Sequence, residues 1–181
     1  EFRRVLFRST SPDGTIVVFH ARWEDVHAAG LVPVDEVALV HADPPYGVAE
    51  QTNRATKGRA ILAPCNDFPA VVGDDRPFDP AFLLALNRPT VLWGANHYSD
   101  RVPGSPSWLI WDKRDGMSSN DNADCELAWS NLGGPARLFR HRWNGMIKAS
   151  ERDQKRVHPT QKPVALMCWV MDQLRSEEHT S

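Results

Sequence analysis

A carboxylate, two prolines and a phenol stand in a row at Asp43, Pro44, Pro45 and Tyr46. Consecutive prolines fix φ and remove two N–H donors, which leaves a rigid turn rich in acceptors. The Asp43 carboxylate adds a further acceptor, and Tyr46 adds a flat apolar face with a polar tip. Residue types in this order suit a ligand with an exposed NH2 on a planar ring, held at its nitrogen by the acceptors and on its face by the tyrosine. The exocyclic amine of a nucleobase meets that description.

The elements that must position these residues are legible on either side. The apolar run Val37-Ala38-Leu39-Val40 reads as a buried strand, so Asp43 follows a strand's carboxyl end, where open α/β sheets bind ligands. A second segment, His158-Pro159-Thr160-Gln161-Lys162-Pro163, leads into an apolar stretch. Residues 163–174 are predicted as a largely buried helix with Pro at its first position. Thr160, Gln161 and Lys162 then lie at a helix amino terminus, where N–H donors gather and anions are welcome.

The two segments together resemble the DNA amino-methyltransferases. That family carries Asp-Pro-Pro-Tyr, and later His-Pro-Thr-Gln-Lys-Pro, and moves a methyl group from S-adenosylmethionine to adenine N6 or cytosine N4. The resemblance implies an α/β chain with part of a Rossmann-like S-adenosylmethionine-dependent methyltransferase fold. It implies double-stranded DNA as partner, a flipped target base, and a phage, restriction-modification or bacterial regulatory setting. Asp43, Pro44, Pro45 and Tyr46 take the catalytic positions, and His158, Thr160, Gln161, Lys162 and Pro163 the cofactor-binding ones. Asp rather than Ser before Pro-Pro-Tyr leans towards adenine, and no metal or covalent enzyme intermediate is implied. The Gly-Asp pair that the family often places after an early strand is replaced by His20-Ala21, with Glu24 and Asp25 as the nearest acids. The family's Gly-rich Phe-x-Gly-x-Gly loop would follow the last helix. No such pattern occurs upstream of Asp43. The expectation is a catalytic half without that loop, inactive by itself, with the Asp43 strand left as an apolar sheet edge.

Strands are predicted over residues 15–19, 90–96 and 107–113, and helices over 23–29 and 79–87. Residues 126–130 and 137–142 read as two arms that the Gly-Gly-Pro loop between them could join as a hairpin. Residues 47–63 show no periodicity and read as a loop beside the site, in which Asn53, Arg54 and Lys57 could reach a DNA backbone. Lys113 stands either on the DNA side or as a strand-edge cap. Residues 137–156 carry Arg140 and Arg142 among other cations, interleaved with Phe139, His141 and Trp143. This interval reads equally as a small target-recognition element and as a solvated charged face.

Composition narrows the class. The chain has 181 residues. Residues 1–9 and 175–181 look like in-frame translations of one sequencing adapter and stand outside fold reasoning, which leaves residues 10–174 as one domain's worth. Removing the four Arg and three Glu of those ends from a chain of net charge −2 leaves −3, so no global positive field draws it to DNA. No apolar run is long enough for a membrane span. Cys65, Cys125 and Cys168 are scattered without a Cys-x-x-Cys pair, which suits a reducing cytoplasm and argues against a disulfide scaffold or structural zinc. Two rival readings are a nucleic-acid-binding module without chemistry and a methyltransferase acting on RNA or on a protein glutamine. A metallohydrolase built on Asp43 and His158 lacks a second ligand pair.

Overall fold

The computed structural model describes residues 7–48, 71–117, 123–144, 147–154, 157–158 and 160–178. The expected DNA contacts Asn53, Arg54 and Lys57, and the loop that carries them, lie outside the described residues, as does Pro159.

The chain divides into two units, Glu1–Val37 and Ala38–Ser181. In the first, β1 (Phe7–Thr10) and β2 (Val17–His20) form an antiparallel hairpin. Its turn is closed by Asp13, whose carboxylate accepts hydrogen bonds from the Ser11 hydroxyl and from the Thr15 amide and hydroxyl. Helix α1 (Trp23–Ala28) buries Val26, and Gly30, with φ of 64°, stops it as expected. A 3-10 turn, Val34–Glu36, then occupies the approach to the Asp43 segment. The predicted strand over residues 37–40 is therefore corrected: Val37 closes that turn, and pairing begins at Val40.

The second unit is built on a five-stranded mixed sheet. Its strands are β3 (Val40–Ala42), β4 (Thr90–Trp93), β5 (Trp108–Asp112), β6 (Cys125–Ser130) and β7 (Arg137–Arg140). Their order in space is β3-β4-β6-β5-β7. β3 runs parallel to β4 and β5 parallel to β7, while β6 is antiparallel to both of its neighbours. Four strands thus point one way and β6 points back. A short helix, α2 (Ala81–Leu84), lies between β3 and β4 in sequence. Asp79 caps it by accepting the Ala81 N–H, but it is shorter than the predicted 79–87 and ends before Asn87, which takes φ of 51°. A small hairpin, β8 (Trp143–Asn144) and β9 (Ile147–Lys148), precedes the last helix, α3 (Val164–Glu178).

Strand burial follows position. Every residue of β4 is buried, as a central strand covered on both faces requires. β5 alternates instead, burying Leu109 and Trp111. Among the described residues β3 is an edge strand of intermediate burial, so the expected full burial is not found, and the edge is the three residues Val40–Ala42 with His41 at its centre rather than the apolar run 37–41. The hairpin reading of residues 126–142 is also corrected: β6 is already paired on both sides, so β7 passes it and joins the far edge of β5.

One sheet face carries Val91, Trp93, Leu109, Trp111 and Ala128 into a core completed by Trp143 and by Leu166 and Val170 of α3. The i, i+4 spacing of Leu166 and Val170 puts both on one helix face. The opposite face is open, with Cys168 exposed, Val164 59 % exposed and Met171 47 % exposed, so α3 is one-sided rather than largely buried. Among the described residues no helix is long and apolar enough to cross a membrane.

Leu166 is fully buried in that core. Leu166→Ala should lower unfolding stability by about 2–5 kcal/mol in chemical denaturation. Val164→Ala, on the exposed face of the same helix, should change it by less than about 0.5 kcal/mol.

Candidate functional site

Strand polarity decides which residues meet. The carboxyl ends of β3, β4 and β5 share one edge of the sheet, and the reversed β6 brings its beginning there. Asp43 follows β3, Gly94 follows β4, Lys113 follows β5, and Glu126 is the second residue of β6. The segment before α3 delivers Lys162 to the same place. Its position is set in part by the Trp143 indole N–H, which donates to the Gln161 carbonyl at 3.1 Å.

The Lys162 ammonium is the hub. It lies 2.7 Å from Asp43 Oδ1, 3.0 Å from Glu126 Oε2 and 3.3 Å from the Tyr46 hydroxyl. Its side chain is only 7 % exposed. The Trp93 ring flanks it, with Nζ 5.5 Å from the centroid, while the Tyr46 ring meets it edge-on at the hydroxyl. Lys113 Nζ reaches Glu126 Oε1 at 3.1 Å, so carboxylates and ammonium groups alternate from Asp43 through Lys162 and Glu126 to Lys113. The Lys162 ammonium sits off the line of a hydrogen bond to Glu126 Oε2, which leaves that oxygen with acceptor capacity.

Burial raises the Glu126 carboxyl, but Lys162 and Lys113 outweigh it and hold the group below the usual glutamate range. Burial also drives the Tyr46 phenol far above its usual value, and the nearby Asp43 and Glu126 carboxylates push the same way. Tyr46 therefore stays protonated and donates to Asp43 Oδ1 at 2.7 Å. His41, at the middle of β3, is shifted down by burial and by Lys162, with Asp43 opposing. Its neutral ring accepts the Trp93 indole N–H on Nε2 at 2.7 Å, which places its own proton on Nδ1.

Two glycines let the Asp43 turn pack closely. Gly94, at φ of 69°, lies against the Tyr46 ring, and a Cβ there would overlap Tyr46 Cε1. The same ring stacks on His97 at 5.2 Å between centroids and 13° between planes. Gly47, at φ of 77°, meets the Arg76 carbonyl, and buried Asp74 accepts the Gly47 and Val48 amides at 2.8 and 3.2 Å.

The structure brings together Asp43, Tyr46 and Lys162 from the predicted set. The remaining predicted cofactor residues make local contacts of their own. The Thr160 hydroxyl bonds His158 Nδ1 at 3.0 Å, the Gln161 side chain accepts the Val157 amide at 3.0 Å, and Pro163 is buried. The amino terminus of α3 already holds an anion of this chain, because Glu151 Oε2 accepts the Val164 N–H at 3.1 Å. Lys113 belongs to the carboxylate cluster rather than to a strand edge. Arg140 and Arg142 make loose pairs with Asp112 and Asp115 at 3.7 and 3.9 Å. Glu126, His97, His41 and Asp74 were not anticipated. Of these only Glu126 left a signal, as a lone acid opening the apolar run Leu127-Ala128-Trp129.

Among the described residues no group of His, Cys, Asp and Glu is placed to hold a metal ion. Comparison of the chain with protein-family models, with curated proteins and with solved structures finds no match.

Gly94→Ala should destabilise the protein by about 2–4 kcal/mol, through backbone strain at positive φ and overpacking against Tyr46, as read by urea unfolding. His41 and Glu126 both have folded-state values below their unfolded ones, so each favours the folded chain at high pH and loses that contribution as pH falls. Stability should therefore drop first as pH passes below about 6.5, a step absent from His41→Gln. It should drop again as pH falls below the ordinary carboxylate range, a step made smaller by Glu126→Gln. Denaturation midpoints across a pH series read both.

Proposed function

We propose that the Asp43 cluster is the amine-binding centre of a Rossmann-like, S-adenosylmethionine-dependent methyltransferase that acts on the exocyclic amine of a flipped DNA base, adenine N6 ahead of cytosine N4. The observation that carries this reading is the 2.7 Å contact between Lys162 Nζ and Asp43. It joins the two segments on which the resemblance rests, at the carboxyl edge of a parallel strand pair where α/β sheets bind ligands.

The residues present fit the cofactor in kind. His158 and Thr160 are exposed polar groups next to Lys162, and Glu126 Oε2 retains acceptor capacity near the transfer point. His158, Thr160, Gln161 and Lys162 would hold S-adenosylmethionine, which supplies an electrophilic methyl group when bound. Asp43 and the Pro44 carbonyl accept hydrogen bonds from the target amine, draw its lone pair out of conjugation with the ring and fix its direction. Asp43 also stands nearest to take the proton that the methylated amine sheds. Tyr46 offers its ring to the flipped base, a stack now made with His97. Arg140 is 65 % exposed on its side chain, and its pairing with Asp112 is loose enough for a phosphate to replace.

One observation favours a second reading, a nucleic-acid-binding module without transfer chemistry: Asp43 and Tyr46 are already engaged by Lys162 and His97. Asp43→Asn separates the two. In the protein that contains this sequence, the substitution should cut transfer of labelled methyl groups to duplex DNA by at least about 100-fold and leave duplex binding intact. Undiminished transfer would overturn the methyltransferase assignment, and absence of transfer before the substitution would leave the binding module in its place.

A further inference from the structure

The surroundings of Lys162 Nζ are those of a receptor for a primary ammonium group. Its polar contacts are Asp43 Oδ1 at 2.7 Å, Glu126 Oε2 at 3.0 Å and the Tyr46 hydroxyl at 3.3 Å. Its apolar wall is the Trp93 ring, whereas Tyr46 meets it edge-on through the hydroxyl. An ammonium has three N–H donors and no acceptor, and here it hydrogen-bonds the Tyr46 hydroxyl and lies within 3.0 Å of two carboxylate oxygens that pair with it by charge. Rings within about 6 Å of a cation add an attraction that strengthens with desolvation. Trp93 is fully buried, so that wall is dry.

Two carboxylates are more than a neutral base amine needs. Lys113 balances part of their charge through Glu126, but Asp43 has Lys162 as its cationic partner. A neutral ligand that pushed Lys162 out would leave Asp43 without a counter-charge, whereas an alkylammonium would restore it.

We infer that Asp43, Glu126, Tyr46 and Trp93 form a binding site for a primary alkylammonium group, which the chain's own Lys162 fills and thereby closes. Ligands from solution enter only in the fraction of molecules whose Lys162 has left, so apparent affinity falls by that fraction. This inference rests on the charges and the apolar wall around Nζ and is independent of methyl transfer.

Propylammonium tests it, because it carries the atoms beyond Cβ that Lys162→Ala removes. The K162A protein should melt below the unsubstituted one, and millimolar propylammonium should raise its midpoint along a saturable curve, as ligand binding to the folded state requires. The rise should be at least about fivefold larger than in the unsubstituted protein. Tetramethylammonium, charged but without N–H groups, should give no such rise, and the D43N/K162A double variant should lose the propylammonium response. An equal response to both cations, an equal response in the unsubstituted protein, or a response that survives D43N would overturn the inference. Should K162A not fold alone, recovery of its native circular dichroism in propylammonium supports the site, and failure to recover counts against it.

Discussion

A buried ammonium must be paired, and the pairing of Lys162 with Asp43 and Glu126 constrains much of the second unit. Each carboxylate is only partly exposed, 34 % and 26 % on its side chain, so neither is satisfied by water alone. Breaking such a cluster by removing one member leaves the others as uncompensated charge, which is the expensive case. The sheet edge, the turn at Asp43 and the segment leading into α3 are accordingly fixed with respect to one another by electrostatics as well as by packing.

Packing holds the same parts from below. Trp93 contributes its ring to the Lys162 surroundings, its indole N–H to His41 and its carbonyl to the Tyr98 hydroxyl at 2.6 Å. Trp143 belongs to the core and also ties the segment before α3 through Gln161. On β7, the Phe139 ring stacks on Trp169 of α3 at 5.1 Å and on His141 at 5.6 Å. The aromatic residues in the basic interval therefore fasten β7 to the last helix. That use competes with any role for Phe139 as a free platform for bases.

The strongly periodic parts of the fold were legible in the sequence. β4 and β5 fall where their apolar residues predicted, and α1 stops at its glycine. The misreadings have local causes. Val37 and Leu39 look strand-like by composition, but the Pro33-Val34-Asp35-Glu36 turn takes up the preceding chain, and β3 starts late. The link between β6 and β7 reads as a hairpin loop because nothing in it reveals that β6 already has two partners. At the site, Asp43, Tyr46 and Lys162 were visible because two short motifs name them. Asp74 holds the turn from 27 residues away, a distance at which neither periodicity nor turn chemistry gives a signal.

The wide separation of the site's members in sequence has a consequence for how the chain folds. Tyr46 and Lys162 stand 116 positions apart, and Lys162 comes after every strand of the sheet. Contacts so far apart in sequence raise the contact order of the fold, which slows folding as a rule. A partly folded chain with its strands aligned up to β7 would hold Asp43 at the sheet edge with its cationic partner still unplaced. Arrival of the α3 segment both covers the core with Leu166 and Val170 and neutralises that edge. Charge at this edge is thus satisfied only in a chain that has docked its last helix.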